Sequence, residues 1–339
     1  MPAEIKSCSK EVAMRRILVF LLALWFVGVL FGGVAAAAPI VMRLAETHPQ
    51  DYPTTKGDYE FARLVKERTN GRIVVEVYHS KQLGEEAAVI EQVQLGAIDM
   101  TRVSISAVSS FVRDLDAFQL PYLYRDAAHM WKVLDGPIGD EILKKHEAFN
   151  FVGVGWFESG SRNFYTKKPV KTVEDLKGMK IRVQQAPLMV GMVQALGAVA
   201  TPLPYGEVYS ALQTGVVDGA ENNWPSYLTT SHFEVAKYWI SDEHTRVPEI
   251  TVGSKKTFDK LSPEDRAIIL KAMKDTQAFQ FKLWVDFEKV AEKAVRDRGC
   301  TITEVSPQEK QKFMDAMKPV YDKQPPEIMA VANKIRAVK

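Results

Sequence analysis

The sequence predicts an α/β protein of two similar lobes that share one long bracing helix. Some segments alternate apolar and polar residues, as strands do, and others have helical periodicity. These two kinds of segment follow each other along the chain in an order typical of βαβ units and a parallel sheet. A short pattern also occurs twice, at residues 94–100 and 213–219: a helix end, a glycine, two apolar residues and an aspartate. Glycine accepts the left-handed conformation that ends a helix, so both copies predict the same tight turn into a strand.

The first run of alternating elements covers residues 41–103. Its periodicity predicts strands at 41–45, 72–78 and 97–103 and helices at 54–69 and 85–95. Asn70-Gly71 stops the first of these helices, and Gly96 stops the second. Two short helices, at 127–134 and 138–148, and a strand at 151–156 follow before the second lobe begins near Gly160.

The second run predicts a strand at 180–183 and helices at 188–196 and 206–214, after a short helix that Thr172 and Asp175 start as a capping box. A strand at 250–252 is expected to return to the first lobe. Ser262-Pro263 then opens a helix that reaches about Asp297, roughly 50 Å at 1.5 Å per residue, which is long enough to brace both lobes. A strand at 301–303 and a last helix from Pro307 follow it.

The N-terminal residues have the composition of a secretory signal peptide. A positively charged segment precedes an apolar run at residues 17–34 and a tract of alanines at 35–38. This pattern predicts a signal peptide at residues 1–37, cut after Ala37, and therefore a periplasmic protein. An uncleaved membrane anchor is the alternative, because the apolar run is long.

Charge and cysteine content limit the partners of the mature chain. The sequence has 44 basic and 42 acidic residues, of which residues 1–37 hold four and two, so 40 of each remain. A neutral protein offers no basic field for nucleic acid or an anionic membrane. Cys300 is then the only cysteine, so no intramolecular disulfide forms, and we interpret it as a buried structural thiol.

Common catalytic motifs are absent from the sequence. It contains no Gly-x-Ser-x-Gly elbow, no Walker loop and no His-Glu-x-x-His zinc motif. Residues 153–158 resemble a dinucleotide-binding loop, but Glu158 takes the place of the third glycine and would repel a pyrophosphate. We therefore expect no catalytic residue, metal or cofactor. An exported enzyme that acts on a sugar acid through an unfamiliar site stays open as an alternative.

Arg182 is the first candidate for ligand binding. Ile181 and Val183 form one apolar face of the predicted strand, so Arg182 projects from the other face. Ligands of open α/β sheets bind at the carboxyl ends of strands, where this strand leads into a helix. A guanidinium matches a carboxylate with two hydrogen bonds. The hypothesis is an organic-acid site, and the alternative is an edge-strand arginine that reaches solvent.

Polar and aromatic residues at other strand ends support the same hypothesis. Arg162 precedes Arg182 by twenty positions, and two arginines at one site repel each other unless an anion joins them. Asn222 follows a predicted strand, and its amide can orient a carboxylate or a hydroxyl. Tyr205 and Trp224 offer flat apolar faces for a sugar ring.

Several motifs together resemble the substrate-binding proteins of tripartite ATP-independent periplasmic (TRAP) transporters. The similarity covers essentially the whole mature chain, and the combination is far more specific than any one motif. The matching segments are residues 80–84, 96–99, 160–163, 180–183, 195–198 and 205–222.

The resemblance implies a type II periplasmic-binding-protein fold that closes on its ligand at a hinge. The first lobe would hold residues 38–159 and 249–286, and the second residues 160–248 and 287–339, with the helix at about 263–297 spanning both. It also implies a monomer that delivers a small organic acid to the membrane permease of a TRAP transporter.

The resemblance assigns roles to individual residues. Arg182 matches the arginine that binds the substrate carboxylate, Arg162 and Asn222 assist it, and Tyr205 packs on the ligand. Residues that would select the other end of the ligand are Glu46, His48, Arg102, Ser104, Gln184 and Trp224. Relatives that bind sialic acid have an asparagine near Glu46 and a glutamate near Ser104, so sialic acid does not fit.

The substrate expected from the resemblance is a hexuronate, of the glucuronate or galacturonate type. Residues 221–226 and 242–249 are most similar to family members associated with sugar acids. A C4-dicarboxylate, an aldonate or a keto acid remains the alternative. A dicarboxylate needs a second cation in the first lobe, and Arg102 is the candidate for that role.

Overall fold

The strands of the protein form two sheets in the computed structural model, which describes residues 38–339. The predicted signal peptide, residues 1–37, lies outside the described residues. In chain order the strands are β1 (Ile40–Glu46), β2 (Ile73–Tyr78), β3 (Met100–Ser104), β4 (Phe151–Phe157), β5 (Ser161–Thr166), β6 (Lys180–Val183), β7 (Val199–Pro202), β8 (Gly219–Asn222), β9 (Tyr238–Arg246), β10 (Glu249–Ser254) and β11 (Thr301–Glu304).

Helices separate most of these strands. They are α1 (Pro53–Arg68), α2 (Glu86–Leu95), α3 (Ile105–Ser109), α4 (Ala127–Leu134), α5 (Pro137–Lys145), α6 (Pro187–Ala195), α7 (Val208–Thr214), α8 (Trp224–Thr229), α9 (His232–Val235), α10 (Lys255–Phe258), α11 (Pro263–Asp297), α12 (Pro307–Ala316), α13 (Lys318–Asp322) and α14 (Pro326–Ala337). Short 3₁₀ turns occupy Arg113–Phe118, His146–Phe149, Val173–Leu176 and Tyr205–Glu207. No helix of the described part combines the length and the apolar composition needed to cross a bilayer.

The predicted α/β architecture of two lobes is confirmed, but the sheets are mixed rather than parallel. The first sheet has the order β2-β1-β3-β10-β4, and the second has the order β11-β9-β5-β8-β6-β7. The strands β1, β2 and β3 run parallel, as do β6, β7 and β8. By contrast, β10 is antiparallel to β3 and β4, and β5 is antiparallel to β8 and β9.

Two short links connect the sheets. Residues 158–160 connect β4 to β5, and residues 247–248 connect β9 to β10. The expected return of a strand at 250–252 to the first sheet is confirmed, because β10 inserts between β3 and β4.

The long helix α11 braces both sheets, as predicted. Ser262 caps it by accepting a hydrogen bond from the backbone amide of Asp265, and Pro263 takes the first helical position. Along its length α11 packs against α1 and β4 of the first lobe and against α8 of the second. It is therefore a third connection between the two halves of the chain.

Other elements differ from their predicted bounds for local reasons. The strand at 97–103 begins only at Met100, because the left-handed Gly96 is followed by a turn. The single C-terminal helix is divided into α12, α13 and α14, where prolines stand at the starts of new helices. Cys300 is half-buried rather than buried, with its Sγ atom 3.8 Å from the Tyr227 hydroxyl.

Candidate ligand-binding site

A narrow cavity of about 20 Å³ separates the carboxyl ends of β1 and β3 from those of β6 and β8. We call it the inner cavity. The first sheet lines it with Thr47, His48, Glu86, Ser104 and Glu249, and the second with Arg162, Arg182, Gln184, Tyr205, Asn222, Asn223 and Ser226.

Arg182 enters the inner cavity as a buried cation without a carboxylate partner. Its Nε and Nη2 atoms donate to the carbonyl oxygen of Leu203, at 3.0 and 2.6 Å. The residue is only 3% exposed, and no carboxylate of residues 38–339 lies within ion-pair distance of it. Burial is the main reason why the pKa of Arg182 lies below its ordinary value. A buried charge without a partner is costly, so an anion placed here would be bound strongly.

Arg162 lines the same cavity, but its charge is neutralised by Glu221. The Nη2 atom donates to the Glu221 carboxylate at 2.9 Å and to the Glu221 carbonyl at 2.8 Å, and Nε meets the second carboxylate oxygen. The Nη1 atom donates to Oδ1 of Asn222 at 3.2 Å. Asn222 Oδ1 also accepts from the amide of Asn223 at 2.9 Å, which leaves the NH₂ group of Asn222 to donate to a ligand.

His244 supports the Arg162–Glu221 pair from behind. Its Nδ1 atom lies 2.9 Å from Asp242 and its Nε2 atom 3.6 Å from Glu221. Although burial lowers the pKa of His244, these two carboxylates outweigh burial and raise it to about 9. The imidazole is therefore protonated at neutral pH and shares the negative charge of Glu221 with Arg162.

The predicted first-lobe cation, Arg102, is not available to a ligand. Its side chain is fully buried, with Nε 2.5 Å from Glu46 and Nη1 2.5 Å from Glu249. Neither Arg102 nor Glu46 lines the inner cavity. The assignment of Arg102 as the second cation for a dicarboxylate is thus wrong, because β10 brings Glu249 beside it and two carboxylates neutralise its charge.

Glu46 holds His48 rather than a ligand. The Glu46 carboxylate accepts from the His48 backbone amide at 2.6 Å and lies 3.0 Å from the His48 ring. Burial and the nearby Arg102 lower the pKa of His48, so the imidazole is neutral. The ring stacks on Tyr52 at 3.9 Å, and His48 lines the inner cavity.

Two carboxylates of the inner cavity, Glu86 and Glu249, were missed by the sequence analysis. Glu86 accepts from the amide of Ser104 at 3.0 Å, and burial together with Glu249 raises its pKa. Burial also raises the pKa of Glu249, despite its pairing with Arg102. One sequence feature could have indicated Glu86. It stands in the first turn of α2, directly after the turn at Gly84, and the N-terminal ends of helices in α/β folds commonly face the ligand.

Ser104, Tyr205 and Gln184 lie at the inner cavity, as the sequence analysis expected. Ser104 also caps α3, since its hydroxyl accepts from the Ser106 amide. The Tyr205 ring lies 5.1 Å from that of His48, across the boundary between the lobes. Tyr52 and Ser226 also meet across it, with their hydroxyls 2.8 Å apart. The two sides of the cavity are therefore in contact.

Trp224 does not form a wall of the cavity, so that assignment is wrong. Its indole stacks on Trp239 at 3.6 Å and is buried in a core cluster that also contains Tyr227. Asn223 caps α8, and the following residue turns away from the cavity toward β9.

A larger cavity lies elsewhere, along the edge strand β4. It measures about 460 Å³, and its cations Arg266 and Lys274 are paired with Glu147 and Asp135. Its third cation, Lys144, is exposed, so this cavity lacks the buried, unpaired cation that singles out the inner cavity.

Comparison with known proteins agrees with this geometry. The family model described as bacterial extracellular solute-binding protein, family 7, matches residues 44–326. A TRAP periplasmic solute binding protein from Bradyrhizobium sp. BTAi1, in complex with galacturonate, is 47% identical with a TM-score of 0.85, over 87% of this chain and 99% of that one. A protein of the same kind from Pseudomonas putida F1, with bound D-glucuronate, is 40% identical with a TM-score of 0.86, over 88% and 98%.

A relative named for another substrate is also similar. The C4-dicarboxylate-binding periplasmic protein of Rhodobacter capsulatus is 32% identical over 307 residues, which is 90% of this chain and 92% of the relative. Similar proteins thus differ in the acid for which they are named.

Proposed function

The chain belongs to the bacterial extracellular solute-binding proteins of family 7, and we propose that it captures a hexuronate for a TRAP transporter. The observation that carries this proposal is Arg182. Its buried guanidinium donates hydrogen bonds only to a carbonyl oxygen, so a carboxylate of the ligand would be its anionic partner and would bind strongly. Arg162 and the NH₂ group of Asn222 lie on the same side of the cavity and would donate to that carboxylate as well.

The opposite side of the inner cavity supports a sugar acid over a dicarboxylate. Glu86 and Glu249 are acceptors, and the neutral His48 and Ser104 offer further polar atoms, all suited to hydroxyl groups. A second carboxylate on the ligand would face these glutamates and be repelled. The two solved structures described above contain galacturonate and glucuronate, which fits a ligand with one carboxylate and several hydroxyls.

Hinge closure is the mechanism we propose for capture. The first lobe holds residues 38–159 and 249–286, and the second holds residues 160–248 and 287–339. The two short links and α11 are the connections across which the lobes would move. The ligand favours the closed form, because only that form presents Arg182 and Glu86 to the same molecule.

The proposal includes the place and partners of the protein. It would act as a monomer in the periplasm, without turnover of its ligand, and pass the hexuronate to the membrane permease. Family membership supports a transport role rather than catalysis.

A ligand panel tests this function. The mature protein is mixed with D-galacturonate, D-glucuronate, galactonate, malate, succinate and 2-oxoglutarate, and thermal stabilisation is measured. We expect the two hexuronates to give the largest increases in melting temperature and chromatography to recover them unchanged. Stabilisation by malate or succinate but by neither hexuronate would overturn the substrate, and conversion of the ligand would show an enzyme.

A further inference from the structure

Tyr52 is a buried residue of the first lobe whose hydroxyl contacts the second lobe. It stands directly before α1, is only 1% exposed and does not line the inner cavity. Its hydroxyl lies 2.8 Å from Oγ of Ser226 and 3.4 Å from Oδ1 of Asn223, at the start of α8. Because an amide oxygen only accepts, the Tyr52 hydroxyl donates to Asn223 and accepts from Ser226. The donor and the acceptor of this buried phenol are thus both satisfied across the boundary between the lobes.

The ring of Tyr52 connects the same contact to the inner cavity. It stacks on the ring of His48, with the centroids 3.9 Å apart and the planes inclined by 10°. It also meets the indole of Trp284, on α11, edge-on at 5.8 Å. His48 lines the inner cavity. Tyr52 therefore contacts a residue of the site with its ring and the opposite lobe with its hydroxyl.

On the second lobe, Asn223 joins this contact to the site and to the hinge. Its backbone amide donates to Oδ1 of Asn222 at 2.9 Å, and its side-chain amide donates to the carbonyl oxygen of Ser159 at 2.9 Å. Ser159 lies in the short link from β4 to β5. The Oδ1 atom of Asn223 also accepts from the Ser226 amide at 2.8 Å and so caps α8. The partners of the Tyr52 hydroxyl are therefore held in place between the site and the link.

Opening of the lobes would separate the Tyr52 hydroxyl from these partners. A hydrogen bond of 2.8 Å is lost once its two oxygens move about 1 Å further apart, and water would then solvate the exposed phenol. The contact with α8 would in that case be made in the closed form alone. A contact that exists in only one of two forms shifts the equilibrium toward that form.

We propose that Tyr52 is a positioning residue that couples capture of the ligand to closure of the lobes. Its ring holds His48 beside the ligand, and its hydroxyl binds the first lobe to α8 once the lobes have closed. This inference rests on the proposed function, because the ligand on which the lobes close is the hexuronate at Arg182. Since Tyr52 does not line the inner cavity, it acts on the rate of release rather than on recognition of the acid.

Tyr52→Phe tests the proposal, because it removes the hydroxyl and keeps the ring. We expect galacturonate to bind about three- to tenfold more weakly, which corresponds to the loss of one neutral hydrogen bond. The dissociation rate should rise by the same factor while the association rate is unchanged, since the bond forms after the ligand has entered. Calorimetry measures the affinity, and stopped-flow tryptophan fluorescence measures the rates. Tyr59→Phe, at an exposed position of α1, is the matched control and should change neither.

A double-mutant cycle with Ser226→Ala assigns the effect to the bond between the lobes. Two variants that remove the same bond do not multiply their losses. The double variant should therefore bind no more than about twofold more weakly than the more affected single variant. Without ligand, the melting temperature of Tyr52→Phe should lie within about 1 °C of the wild type, because the open form lacks the bond.

Wild-type affinity in Tyr52→Phe would overturn the inference while the proposed function stands. Losses that multiply in the double variant would also overturn it. So would a lower melting temperature without ligand combined with an unchanged dissociation rate, which is the result expected of a structural role alone. If the wild type binds neither hexuronate, the proposed function fails, and the same cycle with the acid of the panel that does bind decides on Tyr52 separately.

Discussion

Arg182 and Arg162 line the same cavity, yet only Arg162 is paired with a carboxylate, that of Glu221. The pairing fixes Arg162 in place and cancels its charge. Arg182 keeps its charge and meets only the Leu203 carbonyl. We therefore propose different roles for the two arginines: Arg182 would attract the anion, and Arg162 would supply an oriented donor beside it.

Replacing Arg182 tests its role as the carboxylate-binding residue. Hydrogen bonds to charged groups contribute about 1.5–3 kcal/mol, so Arg182→Ala should weaken galacturonate binding at least tenfold. Arg182→Lys should also weaken it, because an ammonium does not reproduce the planar fork of donors. Titration calorimetry measures both changes, with the surface variant Arg63→Ala as control. Wild-type affinity in Arg182→Ala would refute the assignment.

Replacing Glu86 tests the proposal that its negative charge disfavours a dicarboxylate. Glu86→Gln keeps an acceptor oxygen in the inner cavity but removes a negative charge. At pH 8 we expect malate and succinate to bind at least tenfold more tightly than to the wild type, while galacturonate changes by less than that. The matched control is Glu67→Gln, on the surface of α1. An unchanged ratio of malate to galacturonate affinity would show that the glutamate wall does not set specificity.

The charged His244 predicts a loss of stability at alkaline pH. Its pKa is about 9 in the folded protein and about 6.5 when unfolded, so its contribution is complete below pH 6.5 and is lost as the pH rises through 9. The free energy of unfolding should fall by about 1 kcal/mol per pH unit between pH 7.5 and 8.5. Urea denaturation measures this slope, and His244→Gln should flatten it. A wild-type curve that is level from pH 7.5 to 9.5 would disprove the pairing.

Replacing Asp58 is expected to stabilise the folded protein at neutral pH. Its carboxyl is fully buried beside Glu46, and neither oxygen accepts a hydrogen bond from the described residues. Burial, and then Glu46, raises the pKa of Asp58 well above its ordinary value. The folded state thus retains a proton that the unfolded state releases, and stability falls as the pH rises above about 4.

Asp58→Asn removes this penalty. Its melting temperature should exceed that of the wild type by a few degrees at pH 7 and match it at pH 4. Asp51→Asn, at an exposed position, serves as the control and should change neither value. A lower melting temperature for Asp58→Asn at pH 7 would mean that the Asp58 carboxylate is ionised and stabilises the folded protein.

The sequence predicts a residue of the site when the pattern that places the residue lies within one short segment of the chain. Arg182 and Asn222 stand at or next to the carboxyl ends of their strands, where alternation and spacing predicted them. Their assignment to a ligand site came from the family resemblance. The helix α11 was also predictable, because its cap and its periodicity lie in one continuous segment.

The pairing of Arg102 with Glu249 has no such local signal. These residues are 147 positions apart and meet only because β10 inserts between β3 and β4. The stacking of Trp224 on Trp239 likewise depends on how α8 packs against β9. Contacts of this kind follow from the arrangement of elements, which periodicity alone does not determine.

The place of β10 also governs when the protein can fold. The strand β4 occupies the edge of the first sheet and pairs with β10, which is synthesised only after all but one strand of the second sheet. A growing chain that has not reached Ser254 has no neighbour to hold β4 in its sheet. Non-local pairings of this kind delay folding. The first sheet is therefore completed late in synthesis, when five of the six strands of the second sheet already exist.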